Sequence, residues 1–312
     1  MENIGTDYIV VVGGTNVDIQ GFPKDRLILR DSNIGSVKVS LGGVARNIAE
    51  NITRLGINTK LISIIGDDGY GQIVLEQSGK IGLDLSNTMI LKGEPTSVYL
   101  SILDENGDME LAISSMDIYE RMDIDFIKGY RKLIENSRLC IIDTNLPHDT
   151  IAYLVRNFKG VDFFLDTVST AKTKRVVDLI GNFHTIKPNK IEAEILTGIK
   201  IQNQVDLEKA AKILHEKGVK NVFISLGEDG VFYSNGRITG HKKPPKIKII
   251  NATGAGDAFL AALAYGYYHN MGIEETAELA IYASVVALSH PDTINPKMSI
   301  EEIKLRMEEN KL

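Results

Sequence analysis

Continuous apolar runs recur along this chain, and each gives way abruptly to glycine or polar residues. Tyr8-Ile-Val-Val-Val12, Lys60-Leu-Ile-Ser-Ile-Ile65, Leu139-Cys-Ile-Ile142, Val161-Asp-Phe-Phe-Leu165 and Asn221-Val-Phe-Ile-Ser225 are the clearest. Strands apolar on both faces belong inside a parallel sheet covered by helices, because a half-exposed strand alternates instead. Amphipathic stretches lie between them. Val44, Ile48, Ile52 and Leu55 make a helical stripe that Gly56 closes, and Ala210, Ala211 and Leu214 face inward within 207–218. Repeated β-α order predicts a three-layer α/β/α sandwich. The 312 residues suffice for one full core plus a small appended unit.

One region breaks the pattern. Ser97-Val-Tyr-Leu-Ser-Ile-Leu103 and Met109-Glu-Leu-Ala-Ile-Ser114 alternate on either side of Asp104-Glu-Asn-Gly-Asp108, which predicts a hairpin. Val37-Lys-Val-Ser-Leu41 also alternates and is expected to pair with it. The reading is a small β-sheet lid formed from about 15–41 and 95–116 within a single domain spanning 1–312. The alternative is an antiparallel extension at the edge of the main sheet.

Composition excludes several classes. A net charge of −6 argues against nucleic-acid or anionic-membrane partners. Cys140, the single cysteine, sits in an apolar run and reads as a buried small hydrophobe, so no intrachain disulfide forms. The six histidines are scattered without ligand spacing, against a structural zinc site. Met1-Glu-Asn-Ile-Gly5 does not open a signal peptide and no apolar run reaches membrane-spanning length, so a cytoplasmic location is expected.

Chemistry concentrates at a few junctions. Lys246-Ile-Lys-Ile-Ile250 reads as a strand running into Asn251-Ala-Thr-Gly-Ala-Gly-Asp257, with a helix expected over 258–268. Small residues leave the helix N-terminus open, so its unpaired N–H groups can face an anion beside the Asp257 carboxylate. A phosphate cradle next to a proton acceptor suits phosphoryl transfer to a hydroxyl; an ordinary glycine turn with a helix-opening Asp fits the stretch equally well. Asn16 and Asp18 follow the first strand, where they can grip sugar hydroxyls or simply build a turn. Gly42-Gly43 permits close backbone approach of a ligand, with Arg46 and Asn47 in the first turns of the next helix. Asn189 and Glu192 fit a helix capping box, and a carboxylate there can also hold hydrated Mg²⁺. Ser225-Leu-Gly-Glu-Asp-Gly-Val231 can lie along phosphates or form a plain hairpin turn. Neither Gly-x-Gly-x-x-Gly nor a Walker A lysine motif occurs.

In this order and spacing, the elements resemble the ribokinase-like (PfkB) family of small-molecule kinases over essentially the whole chain. The carriers are Gly13-Gly-x-Asn16-x-Asp18, the Gly42-Gly43…Asn47 element, Asn189-x-x-Glu192, Ser225-x-Gly227-x-x-Gly230 and Thr253-Gly-Ala-Gly-Asp257. The resemblance implies a ribokinase-like α/β/α fold with a β-lid that often builds a homodimer. It implies Asp257 as catalytic base, with the amides of Gly254, Ala255 and Gly256 as anion hole. Asn16, Asp18, Gly42, Gly43, Arg46, Asn47 and Asn145 would hold the substrate, and Ser32 and Asn33 would read a base or simply form a turn. Thr253, Gly254, Gly256, Asn189, Glu192, Ser225, Gly227 and Gly230 would serve ATP, with Asn189 and Glu192 meeting Mg²⁺ through water. Lys172 would add a positive charge near the phosphates, or be a solvated helix-face lysine.

Within the family the chain is most similar to the pseudouridine kinases. The matching stretches are Asp31-Ser-Asn-x-Gly35, Gly42-Gly-Val-Ala-Arg-Asn-Ile-Ala-Glu50, Ser97-Val-Tyr-Leu-Ser101, Ser169-x-x-Lys172 and Asn251-x-Thr-Gly-Ala-Gly-Asp257. Two departures stand out. Asn251 replaces a common Asp, removing a charge from the usual monovalent-cation (K⁺) site, and Thr167 stands where Pro is expected after Asp166. The resulting expectation is an ATP- and Mg²⁺-dependent kinase for the 5′-hydroxyl of a nucleoside, pseudouridine first. The rivals are a kinase for ribose, adenosine or inosine, and a non-catalytic nucleoside-binding regulator.

Overall fold

A computed structural model describes residues 8–310; the opening residues read above for a leader lie outside the described residues. The apolar runs become strands β1 (Ile9–Val12), β4 (Thr59–Gly66), β8 (Leu139–Asp143), β9 (Phe163–Asp166) and β11 (Asn221–Ser225). The remaining strands are β2 (Asn16–Pro23), β3 (Gly35–Gly42), β5 (Thr88–Leu91), β6 (Val98–Leu103), β7 (Met109–Ser115), β10 (Thr185–Ile186), β12 (Val231–Ser234) and β13 (Thr239–Lys242). A nine-stranded sheet runs β13-β12-β11-β10-β9-β8-β1-β4-β5, parallel from β5 to β11 and antiparallel at β12 and β13.

Helices are α1 (Val44–Arg54), α2 (Gly69–Lys80), α3 (Ile124–Gly129), α4 (Arg131–Glu135), α5 (His148–Asn157), α6 (Thr170–Thr173), α7 (Lys190–Thr197), α8 (Gln204–Lys217), α9 (Ala255–Tyr268), α10 (Ile273–Leu288) and α11 (Ile300–Glu309). Alternate residues along each strand feed two separate cores. Val11, Ile141 and Phe164 pack with α1, α9 and α10, while Val10, Ile142 and Leu165 pack with α5, α7 and α8. That two-sided burial is why the strands read as unbroken apolar runs. Cys140 is fully buried among them, and burial pushes its thiol pKa up. Among the described residues no helix is long and apolar enough to cross a membrane.

The second sheet has four strands in the order β3-β2-β6-β7. Val37–Leu41 therefore does not pair with the hairpin directly. The 16–23 segment, within the expected lid at 15–41, forms β2 and lies between them, antiparallel to β3 and parallel to β6. One face of this small sheet is apolar (Ile19, Val37, Val39, Leu100, Leu111, Ile113) and the other polar (Asp18, Gln20, Lys38, Ser40, Tyr99, Ser101). Val17 and Leu41 root it against Ile65 and Val74 of the main body.

Two expectations near the C-terminal half need correction. Lys246–Ile250 is not a strand, and α9 begins three residues earlier than its apolar pattern, at Ala255. With basic and apolar residues alternating along an exposed loop, 246–250 finds no sheet edge to join. The early start of α9 brings Ala255, Gly256 and Asp257 into its first turn.

Candidate active site

The parallel ladder sets out a row of residues at one edge. Val12 pairs with Ile142, Ile142 with Leu165, and Leu165 with Ile186. The next position on each strand is Gly13, Asp143, Asp166 and Lys187, and Asp143 and Asp166 are themselves paired. Adjacent strands lie roughly 4.8 Å apart, and matching positions point to one face. That is the face covered by α1 and α9, so both helix N-termini meet this row.

Asp257 stands in the first turn of α9 and is 8% exposed. Its Oδ2 accepts a 2.8 Å hydrogen bond from Nδ2 of Asn47 on α1. Burial, aided by the nearby Asp166 charge, pushes its pKa up to about 8 against the pull of Asn47 and Lys187. Lys187 is buried too, and its Nζ lies 3.5 Å from Asp166 Oδ2. Burial opposes its charge, but Asp166, Asp257 and Glu192 outweigh that and hold the ammonium pKa up. Gly254 caps α9 in the left-handed conformation (φ 84°), and no side chain caps the helix. A Cβ at 254 would fall 2.0 Å from the Thr293 carbonyl oxygen, so only glycine fits there. The first-turn N–H groups of α9 are thus left for an anion, beside a carboxylate and an ammonium.

Around Asp257 the structure gathers many of the expected acceptor-side residues. Asn16 and Asp18 start β2, with Asn16 Nδ2 donating to Asp18 Oδ1 at 2.5 Å. Burial raises the Asp18 pKa to about 6, although the Asn16 bond and Arg46 charge lower it. Arg46 is buried on α1, paired with Glu50 and donating to Asn47 Oδ1 at 3.0 Å. The glycine pair serves loop packing: a Cβ on Gly42 would strike the Asp18 carboxylate, and one on Gly43 would fall 2.4 Å from the Gly14 carbonyl oxygen. Asn145, just past β8, accepts a hydrogen bond from the Lys172 ammonium. Lys172 on α6 therefore meets the end of β8.

Ser32 and Asn33 are not brought to this cluster. They sit in the exposed loop between β2 and β3, beyond Pro23↔Gly35, whereas Asn16↔Gly42 marks the other end of the ribbon. Eight residues of strand separate the two ends by roughly 23 Å. The Asn33 carboxamide closes its own loop, bonding Ile28 N and O at 2.8 and 2.9 Å, which is the turn alternative.

The nucleotide-side residues form a second group. Asn189 and Glu192 make a full capping box on α7: Asn189 Oδ1 accepts from Glu192 N at 2.9 Å, and Glu192 Oε2 accepts from Asn189 N at 2.8 Å. Thr167 Oγ1 also donates to Glu192 Oε2 at 2.7 Å. Asn189 bridges to Ser225, and Asn189, Ser225 and Gly227 line a groove of about 500 Å³. Gly230 is not among that groove's lining; it closes the β11–β12 turn against the Lys242 carbonyl. Thr253 is exposed before α9, and the Asn251 side chain is engaged by Pro291 O and Thr253 N, each at 3.0 Å.

Among the described residues no group of three or more His, Cys, Asp or Glu side chains could cage a metal. One buried carboxylate beside an asparagine instead suits a hydrated Mg²⁺ carried in on phosphates, since Mg²⁺ keeps several waters and takes one or two carboxylates.

Sequence reading missed Asp143, Asp166 and Lys187 as members of the site. The signal was present: Asp143 and Asp166 are each the polar residue at which an apolar run stops, and Lys187 follows the short strand-like His184-Thr-Ile186. Nothing local told which strand ends would be neighbours.

The profile of the pfkB family carbohydrate kinases matches residues 6–300, and the chain belongs to that family. It is 37% identical to the pseudouridine kinase of Escherichia coli (strain K12) over 95% of both chains. A crystal structure from Clostridium perfringens is 42% identical, with a TM-score of 0.88 over 97% of this chain and 96% of that one. The ribokinase of Arabidopsis thaliana, solved with ribose and ATP, shares the fold at 21% identity, with a TM-score of 0.86 over 96% and 98%. The chain is accordingly a ribokinase-like phosphotransferase that takes an alcohol group as acceptor.

The raised Asp257 pKa has a consequence for stability. The folded carboxyl holds its proton more tightly than the unfolded one, whose ordinary value is 3.8. The native state therefore binds the extra proton between about 4 and 8, and the Asp257 contribution falls as pH rises through that window. Asp257→Asn should melt above the wild type at pH 8, with the gap narrowing toward pH 5. Thermal melts across that range check it; a gap independent of pH would contradict the ionisation argument.

Proposed function

We propose that this pfkB-family chain is an ATP- and Mg²⁺-dependent nucleoside kinase that phosphorylates the 5′-hydroxyl, with pseudouridine as its preferred acceptor. The observation that carries the reading is Asp257, buried and held by Asn47 at the uncapped N-terminus of α9. Asn16 and Asp18 would grip the ribose hydroxyls and aim the 5′-oxygen toward Asp257. As that oxygen attacks the γ-phosphorus in line, Asp257 accepts the hydroxyl proton. Its raised pKa suits a base working near neutral pH.

Charge spreading over the phosphoryl oxygens would meet the Gly254, Ala255 and Gly256 amides and the Lys187 ammonium, all fixed before reaction. Asn189 and Glu192 would hold, through water, the Mg²⁺ that neutralises the nucleotide phosphates when bound. Ser225 and Gly227 would line the nucleotide. The intact carboxylate and open turn weigh against a silent nucleoside-binding regulator.

Pseudouridine as acceptor is supported by the resemblance in the stretches at 31–35, 97–101 and 169–172 and by the relative at 37% identity. A kinase for another ribosyl substrate is the second reading. It is favoured by the placement of Ser32 and Asn33 away from Asp257, which leaves groups suited to any ribose in the cluster. A nucleoside and sugar panel with ATP separates the two.

The small sheet would act as a lid and pair with a second copy. Val37, Val39, Leu111 and Ile113 are 70%, 48%, 45% and 59% exposed on its apolar face, while its polar face carries Asp18. An exposed apolar patch of this kind marks a protein interface.

Three outcomes are expected. Asp257→Asn should cut kcat by about 10²–10⁴-fold, the usual worth of a general base, while ATP affinity stays near wild type; retention of near-normal kcat would remove Asp257 from that role. Pseudouridine offers a second ring N–H where uridine has C–H, and an acceptor left unpaired by uridine costs about 1–3 kcal/mol. Pseudouridine should therefore be preferred by roughly ten- to a hundred-fold in kcat/KM, and equal use of uridine or preferred use of free ribose would overturn the assignment. Sedimentation should show a dimer that Ile113→Glu converts to monomer; a wild type monomeric at micromolar concentration would end the lid-dimer reading.

A further inference from the structure

Three stretches far apart in sequence carry the acceptor-side groups. Gly13–Asp18 supplies Asn16 and Asp18, the start of α1 supplies Arg46 and Asn47, and the end of β8 supplies Asn145, to which Lys172 is tied. At this point the β1–β8 ladder has ended, its last paired residues being Val12 and Ile142. The Gly13–Asp18 stretch and the start of α1 are still joined by the Asn16↔Gly42 pairing and by Arg46 N–H donating to the Gly14 carbonyl at 3.2 Å, but the β1–β8 ladder no longer ties the β8 end to them.

One side chain reaches all three. The Asp143 carboxylate is wholly buried, and Oδ2 accepts from Gly14 N at 2.9 Å, Ala45 N at 3.0 Å and Asn145 Nδ2 at 2.9 Å. Oδ1 accepts from Asn145 N at 2.9 Å. Each stretch therefore ends on the same carboxylate. Ala45 lies in the first turn of α1, two residues from the Asn47 that holds Asp257. Gly14 leads into Asn16.

Because Asn145 gives its Nδ2 to Asp143, its Oδ1 is turned outward to receive the Lys172 ammonium. The packing is close enough that a Cβ on Gly13 would fall 2.4 Å from Asp143 Cγ. This accounts for the glycine at 13 without any ligand.

The chemistry of the residue fits the task. Four N–H donors converge and none of them can accept, so the partner must be an acceptor-only group. An asparagine would turn an NH₂ toward at least one of those donors. Burying a carboxylate is costly unless it is fully hydrogen-bonded and charge-compensated. Four bonds and the Lys172 charge oppose that cost, although burial still holds the Asp143 pKa above its ordinary value, and Asp257 lies near enough to repel it.

We propose that Asp143 is the positioning residue of the acceptor site. It touches no reacting atom, and it sets the mutual placement of Asn16, Asn47 and the Asn145–Lys172 arm. The proposal rests on the kinase reading above for what binds there, and it is tested with whichever acceptor the wild type phosphorylates best. A sugar winning that panel would refute the nucleoside reading and leave this test running on the sugar.

The experiment compares acceptor KM, ATP KM and melting temperature for Asp143→Asn and Asn145→Ala. Asp143→Asn should raise acceptor KM by about 10–100-fold and leave ATP KM within about threefold, the split a general loss of structure would not produce. Asn145→Ala keeps the bonds to Gly14 and Ala45 and should raise acceptor KM less, by about 3–10-fold. An unchanged acceptor KM in Asp143→Asn, or a parallel rise in both KM values, overturns the proposal. Should Asp143→Asn not fold, Gly13→Ala, whose Cβ would press on the Asp143 carboxylate, decides: an acceptor-selective rise supports the proposal, and an unchanged acceptor KM overturns it.

Discussion

The register of one parallel ladder governs where chemistry is available in this protein. Because β1, β8, β9 and β10 run in the same direction and end together, the first residue past each apolar core falls in a common row. Gly13, Asp143, Asp166 and Lys187 occupy it. A one-residue slip of β9 would turn Asp166 to the opposite face and separate it from Lys187. Two-sided burial of the strands makes such a slip costly, so the fold's largest apolar investment also fixes its polar edge.

That edge carries buried charge in a form that favours function over stability. Asp257, Asp143 and Asp166 lie close enough for their charges to repel, with Lys187 as the ammonium among them. A charge taken from water without full compensation is destabilising, and the raised pKa of Asp257 expresses that strain. The same condition readies the carboxylate to take a proton. By contrast, Asp143 is spent on backbone and side-chain donors, and its work is to hold loops and a helix end in place, while Glu192 gives one oxygen, Oε2, to the start of α7 and to Thr167.

The legible parts of this structure are those written locally. Apolar runs gave strands, the Asn189 and Glu192 pair gave the start of α7, and small residues at 253–256 gave an open helix N-terminus. Illegible parts depended on partners distant in sequence. Asn16–Pro23 belongs to the expected lid, but its place as the strand between β3 and β6 comes from pairing with both. Lys246–Ile250 looked like a strand and lacked such a partner. Lys172 reads in sequence as a phosphate-side or a solvated lysine, and its bond to Asn145 at the end of β8 depends on the fold. Ser32 and Asn33 lay near the site in sequence only, because an eight-residue ribbon carries them away from it.

The sequence by itself determined the strand and helix alternation, the glycine turn before α9, the capping box of α7 and the small-molecule kinase resemblance. Each is a property of neighbouring residues: side-chain period, backbone freedom or capping chemistry. Tertiary structure alone decided that Asp143 would gather Gly14 and Ala45, that Lys187 would stand beside Asp166, and that Asn47 would hold Asp257. Those contacts span 98 and 129 residues at Asp143 and 210 at Asp257. They exist because parallel strands separated by helices bring distant chain ends to one edge, a relation that no local pattern encodes.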